Sequence, residues 1–195
     1  MCLFRDPSLA ILLQCIIVAM MSDYKNICLI GFMGVGKTSV GSLLAKKLSL
    51  PFFDTDSMVE KEVGKIIPEI FERHGEKFFR QKELVIVNNV LSREGCVIAL
   101  GGGAFVNPNI QKAARNSLVV CLSSSFETFL QKVEELKSSR PLLKIKSLEE
   151  IQKLYNIRVA CYTGCDFNIN VDNLSTEEVT NKIMSFLKRK EAVAT

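Results

Sequence analysis

Residues Gly31-Phe32-Met33-Gly34-Val35-Gly36-Lys37-Thr38 set three glycines, a lysine and a hydroxyl in the spacing G-x-x-x-x-G-K-[ST]. That spacing suits the capture of a polyphosphate. Main-chain N–H groups can turn inward around the anion only where side chains do not obstruct them, so glycines recur at 31, 34 and 36. Lys37 brings a point charge to the β and γ phosphates, and the Thr38 hydroxyl can ligate Mg²⁺. The motif follows an apolar run and opens a helical pattern, whose positive end adds to the anion site.

A phosphate cradle implies a nucleotide and leaves the acceptor open. Asp54 and Asp56 close the second apolar run, where ligands sit in open α/β sheets. Residues two apart on extended chain point to one side, so one carboxylate could hold Mg²⁺ through water while the other orients and deprotonates a hydroxyl. The plainer reading is that Thr55 or Asp56 caps the helix beginning at Ser57. These residues alone leave the two readings even. The triplet Gly101-Gly102-Gly103 lets main chain approach a ligand, or is a simple turn after a strand. Arg80, beside Phe78 and Phe79, and Arg158 are guanidiniums able to clamp a carboxylate through paired hydrogen bonds, though a single arginine is more often a solvated charge. Arg140 opens Arg140-Pro141-Leu142-Leu143 in a Lys/Ser-rich segment, 138–147, which reads as a loop-like lid carrying a cation to a phosphoryl group or as an exposed basic loop. His74 reads as a helix C-terminus rather than a base.

These groups need a scaffold that gathers strand ends. Strand-like segments lie at Ile27–Ile30, Pro51–Phe53, Cys96–Leu100, Leu118–Leu122 and Phe167–Val171, and the continuous apolar runs at 27–30, 96–100 and 118–122 lack period-two alternation, as strands buried on both faces do. Between and after them, helical spacing covers Thr38–Leu48, Ser57–Val63, Pro68–His74, Lys77–Arg93, Phe126–Leu136, Leu148–Ala160 and Thr176–Lys190. Alternating strands and helices predict an α/β fold with a parallel sheet covered on both sides.

At 195 residues and 48% hydrophobic content the chain supports one domain with a real core, which excludes disorder as its main character. A net charge of +4 is too small to indicate nucleic-acid binding and suits an anionic small molecule. Seven cysteines at 2, 15, 28, 96, 121, 161 and 165 include no pair at zinc or redox spacing, and a reduced, cytoplasmic setting fits them. Residues 1–21 form an extension whose apolar stretch, Leu9–Met21, is short of the roughly 20 residues of a membrane span. It lacks a basic leader and a clear cleavage site. The consecutive Met20 and Met21 suggest that translation starts there, which an intact mass would test. Residues 22–195 form the single domain.

The loop at 31–38, Phe52-Phe53-Asp54-Thr55-Asp56, Gly75-Glu76 leading to Phe79-Arg80, the glycine triplet, Arg140-Pro141-Leu142-Leu143, and Arg158 with Tyr162 resemble shikimate kinase in order and spacing, over about Asn26 to Leu187. The resemblance implies a three-layer αβα P-loop NTPase fold of the nucleoside-monophosphate-kinase type, with a five-stranded parallel sheet and a lid. It implies ATP-dependent phosphorylation of the 3-hydroxyl of shikimate, with one Mg²⁺ ion, in the cytoplasm, by a monomer with no nucleic-acid or membrane partner. Gly34, Val35, Gly36, Lys37, Thr38 and Ser39 would then hold ATP, with Arg140 closing over its phosphates. Thr38, and Asp54 through water, would take the metal. Asp56 would meet the reacting hydroxyl, Gly102 the ring hydroxyls, and Arg80 and Arg158 the carboxylate, so that Lys37, Asp56 and Arg140 carry catalysis. Two positions depart from the pattern. Val133, beside Lys132, stands where the family often has an arginine near the adenine, and Arg158-Val159-Ala160-Cys161-Tyr162 lacks the family's proline. A kinase of another acceptor such as gluconate would not be expected to combine Asp56, Arg80 and the glycine triplet, and a regulatory module without catalysis would need only the loop.

Overall fold

The computed structural model describes residues 24–137 and 140–194; the apolar extension, its two methionines, Cys2, Cys15 and two lid serines lie outside them. Strand β1 (Asn26–Gly31) is buried from end to end, as its unbroken apolar sequence requires at the centre of a parallel sheet. It pairs with β3 (Val97–Ala99) on one side and β4 (Ser117–Ser123) on the other. Strands β2 (Phe52–Asp54) and β5 (Phe167–Asn170) complete a five-stranded, all-parallel sheet in the order β2-β3-β1-β4-β5. Chain direction through the sheet therefore reverses at β1, and the crevice beyond its carboxyl end is where the glycine loop lies.

Helix α1 (Lys37–Leu48) packs against β3 and α8 (Thr176–Ala194). Its Gly41 sits so close to Leu29 and Phe52 that the apolar face of β1 and β2 toward α1 has no room for a larger residue there. Helix α2 (Thr55–Val63) follows β2 without a linker, and α3 (Ile67–Leu91) is two helical segments joined at Gly75, whose φ of 77° and ψ of 169° break the helix. The sequence patterns at 68–74 and 77–93 are these two segments, and His74 ends the first beside Phe78, ring to ring at 4.7 Å. Helices α4 (Pro108–Ala113), α5 (Phe126–Lys137), α6 (Pro141–Ile145) and α7 (Leu148–Cys161) complete the architecture. Two of these correct the sequence reading. Six residues at 108–113 form a helix started by Pro108 and capped by the Asn107 side chain, too short to show periodicity. The lid, expected as a loop, carries a helical turn after Arg140, because proline at the first helical position is preorganised for it. Ser147 and Glu150 form a reciprocal capping box that fixes where α7 begins. Among the described residues no helix is long and apolar enough to cross a membrane.

Candidate active site

The loop between β1 and α1 is held from inside by its own lysine. Lys37 Nζ donates to the carbonyl oxygens of Gly31 at 2.8 Å and Phe32 at 2.9 Å. Gly36 supplies the turn into the helix at φ 88°, in open space, a backbone state that side chains disfavour. Thr38 and Ser39 are exposed at the helix start, Gly34 is half-buried, and Val35 turns inward at 6% exposure. Burial pushes the Lys37 ammonium down to about 8; Asp56 and Asp54 oppose that shift, and Arg140 and Arg158 add to it.

The two aspartates reach the cleft by a route the sequence did not suggest. Asp54, rather than Thr55 or Asp56, caps α2: its Oδ1 accepts from the N–H groups of Asp56 at 3.0 Å and Ser57 at 3.2 Å. Its Oδ2 accepts from the Thr38 hydroxyl at 2.6 Å. One carboxylate thus serves as cap and as site group, and the two readings of this segment are not alternatives. Asp56 lies in the first turn of α2 and not on extended chain, so the helix rather than strand alternation aims it. Thr55, fully buried, accepts the Gly101 N–H on its hydroxyl at 2.9 Å and so ties this helix start to the glycine triplet.

Thr38 and Asp54 offer two hard oxygens at the mouth of the phosphate loop, a donor set that fits Mg²⁺. Among the described residues no three His, Cys, Asp or Glu side chains gather as a metal cage. An ion here would complete its shell with phosphate oxygens and water, as Mg²⁺ commonly does.

Arg80 and Arg158 converge from different helices. Both guanidiniums crowd Gly103: a Cβ there would lie 2.8 and 2.9 Å from the Arg80 nitrogens and 3.1 Å from Arg158 Nη2. Of the two aromatic neighbours expected for Arg80, Phe79 meets its guanidinium, 5.2 Å from the ring centre. Arg158 is 5% exposed and lies 5.4 Å from the Phe32 ring centre; burial lowers its pKa. Gly102 lines the same pocket, while its carbonyl accepts the Tyr162 hydroxyl at 2.7 Å.

Arg140 lines the same pocket. Its Nη1 meets Asp56 Oδ2 at 2.5 Å, and its Nε is buried with no hydrogen-bond partner. The expectation placed Arg140 over the phosphates; here it rests on Asp56, close enough to Lys37 to depress the lysine's pKa. Pro141 and Leu142 bring the lid to the pocket wall beside Met33, Phe71 and Phe79.

Glu83 is the member of this site that sequence reasoning missed. It is 3% exposed, its Oε2 accepts from Arg80 Nη1 at 2.7 Å, and its Oε1 is buried without a partner, facing the pocket near Asp56. Burial raises its pKa against the pull of Arg80. The available signal was spacing, since Arg80 and Glu83 are three apart on one helix.

The pocket therefore joins a fork of two guanidiniums, an acid opposite them and a phosphate loop alongside. Comparison with known proteins points to one family. The family model described as shikimate kinase matches residues 33–188. The shikimate kinase of Caldicellulosiruptor bescii is 43% identical over 170 residues, covering 86% of this chain and 98% of that protein. That of Bacillus subtilis is 42% identical over 166 residues, covering 84% and 89%. The solved structure of the Acinetobacter baumannii shikimate kinase in complex with shikimate superposes with a TM-score of 0.80 at 34% identity, over 86% of this chain and 94% of that one. A gluconokinase from Sinorhizobium meliloti, at TM-score 0.55 and 15% identity, shares the fold alone. With the loop, aspartates, arginine fork and lid in the order seen here, the chain belongs to the shikimate kinase family.

Proposed function

We propose that this chain transfers the γ-phosphoryl group of ATP to the 3-hydroxyl of shikimate. The observation that carries the assignment is the convergence of Arg80 and Arg158 on Gly103, in the pocket that Asp56 also lines. A carboxylate held by the two guanidiniums directs the far side of its ring at Asp56. Asp56 Oδ2 accepts the hydroxyl proton as the oxygen attacks. Lys37 supports the β and γ phosphates, and Arg140 moves from Asp56 to the transferring group, which its buried and unpartnered Nε is a donor free to meet. Glu83 holds Arg80 in place. Gly34, Val35, Gly36 and Ser39 surround the phosphates with main chain, and Gly102 borders the ring. Thr38 and Asp54 would hold Mg²⁺, which when bound neutralises charge on the phosphate oxygens. The reading includes a cytoplasmic monomer acting on small molecules.

A coupled assay of ADP release tests this directly. Release that depends on shikimate and not on gluconate is expected; release equal without acceptor would identify an ATPase, and none with either would remove the kinase assignment. The pH profile carries a second expectation. Lys37 is charged below about 8 and loses its proton above it in the free protein, so kcat/KM for ATP falls as pH rises through about 8. Bound phosphates favour the ammonium, so kcat itself holds to higher pH. A kcat/KM for ATP that stays flat to pH 10 would contradict the placement of Lys37.

Gly103→Ala tests the fork. The added methyl meets three guanidinium nitrogens at 2.8 to 3.1 Å and must push them apart. Loss of one hydrogen bond to a charged group raises KM for shikimate about tenfold, with KM for ATP unchanged. Steady-state kinetics with each substrate varied in turn distinguishes this from general damage.

A further inference from the structure

On the sheet face away from α1, a second cavity of about 370 Å³ lies between β4, β5 and α7. Its walls include Phe32, Tyr155, Tyr162, Cys121 and Cys165. Cys121 is in register with Ile30 in the middle of β4 and is 3% exposed. Cys165 is half-buried in the turn that leads from α7 into β5, and the two thiols are within hydrogen-bonding reach of each other. The backbone on either side is fixed. Asp166 N–H donates to the Val119 carbonyl at 2.9 Å, Val119 N–H donates to Asp166 Oδ2 at 2.8 Å, and Cys165 N–H donates to the Tyr162 carbonyl at 3.3 Å. The sulfurs, though 44 positions apart in sequence, are thus held together by the sheet and not by a shared helix.

We infer that Cys121 and Cys165 form an oxidant-sensitive pair that closes to a disulfide and, through the turn at Tyr162, alters the grip of Arg158 on the acceptor. The second half rests on the shikimate-binding role proposed for Arg158. Hydrogen peroxide serves as the oxidant class. The Cys165 sulfur attacks one peroxide oxygen, the O–O bond breaks, and the thiol proton leaves with the departing hydroxide as water. The Cys121 sulfur then displaces hydroxide from the sulfenic acid, forming the S–S bond and releasing a second water with its own proton. Two thiols lose two electrons in all, and one peroxide becomes two waters. Burial pushes Cys121 up to about 12 and raises Cys165, so little thiolate is present at neutral pH and the first, peroxide step is slow, while the second is assisted because Cys121 is held beside the sulfenic acid. In a reducing compartment such a bond is transient, as cytosolic disulfides usually are. Closure draws the turn after Tyr162 toward β4. Tyr162 closes the helix that carries Arg158, and Arg158 rests on Phe32, a wall of the same cavity.

The test exposes the full chain to hydrogen peroxide, followed by non-reducing peptide mapping and steady-state kinetics. The expected result is a Cys121–Cys165 linkage, with KM for shikimate raised about three- to tenfold and KM for ATP little changed, both reversed by dithiothreitol. Cys165→Ser retains the basal rate and loses both the linkage and the response. No linkage, linkage of Cys165 to Cys161 instead, or a linkage that leaves KM unchanged overturns the inference. A reduced protein with no shikimate-dependent turnover would instead defeat the assignment of the acceptor, which the peptide map does not touch.

Discussion

Asp56→Asn lowers kcat by on the order of a hundredfold or more, the scale of losing a general base. The asparagine amide keeps the shape of the side chain but neither takes up a proton nor carries the charge that meets Arg140 at 2.5 Å. Folding is preserved in this variant because Asp54, not Asp56, caps α2. Thr55 still ties that helix start to Gly101. KM for shikimate changes far less than kcat, since the carboxylate fork is untouched. ADP release under saturating substrates measures the effect, with thermal unfolding as the control for structure. A kcat within threefold of the parent's would remove Asp56 from the chemistry and leave it as an anchor for the lid.

Lys37→Met is expected to be at least as severe, costing about a thousandfold in kcat/KM for ATP, the upper range for removing one preorganised donor at developing charge. The lysine has two tasks here. Its ammonium closes the loop on the carbonyls of Gly31 and Phe32, and in the function proposed above the same group also supports the phosphates. Methionine fills the space without either function. Because burial already pushes Lys37 down to about 8, the folded state pays for holding that charge at neutral pH. The penalty is present below about 8 and is relieved as pH rises toward the ordinary lysine range. Methionine carries no such penalty, so the thermal midpoint at neutral pH is no lower than the parent's. A large drop in that midpoint would mean that the two carbonyl contacts dominate and that the kinetic loss reflects a collapsed loop.

What was legible in the sequence was whatever a short window encodes. Strands β1 and β4 show as unbroken apolar runs, and the loop from Gly31 to Thr38 specifies its own geometry through glycine spacing. The capping of α2 was legible as a need but was assigned to the wrong residue, because Thr55, Asp56 and Asp54 are all competent caps and only the backbone entry angle chooses among them. Helix α4 was missed because six residues hold less than two turns. Glu83 was passed over for a different reason. A glutamate in an amphipathic helix reads as solvated surface, and its burial at 3% exposure follows from Gly101 and Asp56 arriving from other parts of the chain. The pairing of Arg140 with Asp56 spans 84 positions, and no local pattern announces it. The contact between Cys121 and Cys165, 44 positions apart, is likewise a product of how β4 and the turn before β5 are brought together, which no local spacing announces.

Phe32 belongs to the phosphate loop by sequence, yet its ring serves the other half of the molecule. It stands edge-on to Phe129 at 5.0 Å and to Tyr155 at 5.2 Å, and it carries the Arg158 guanidinium on its face. Its carbonyl meanwhile receives Lys37. A readjustment of the loop would therefore tilt the surface on which Arg158, the cation proposed above to hold the acceptor, rests. Thermodynamic linkage then requires that the influence run both ways: whatever factor the nucleotide imposes on acceptor affinity, the acceptor imposes on nucleotide affinity. One aromatic side chain thus offers a physical path by which the two occupancies proposed for this cleft would be coupled.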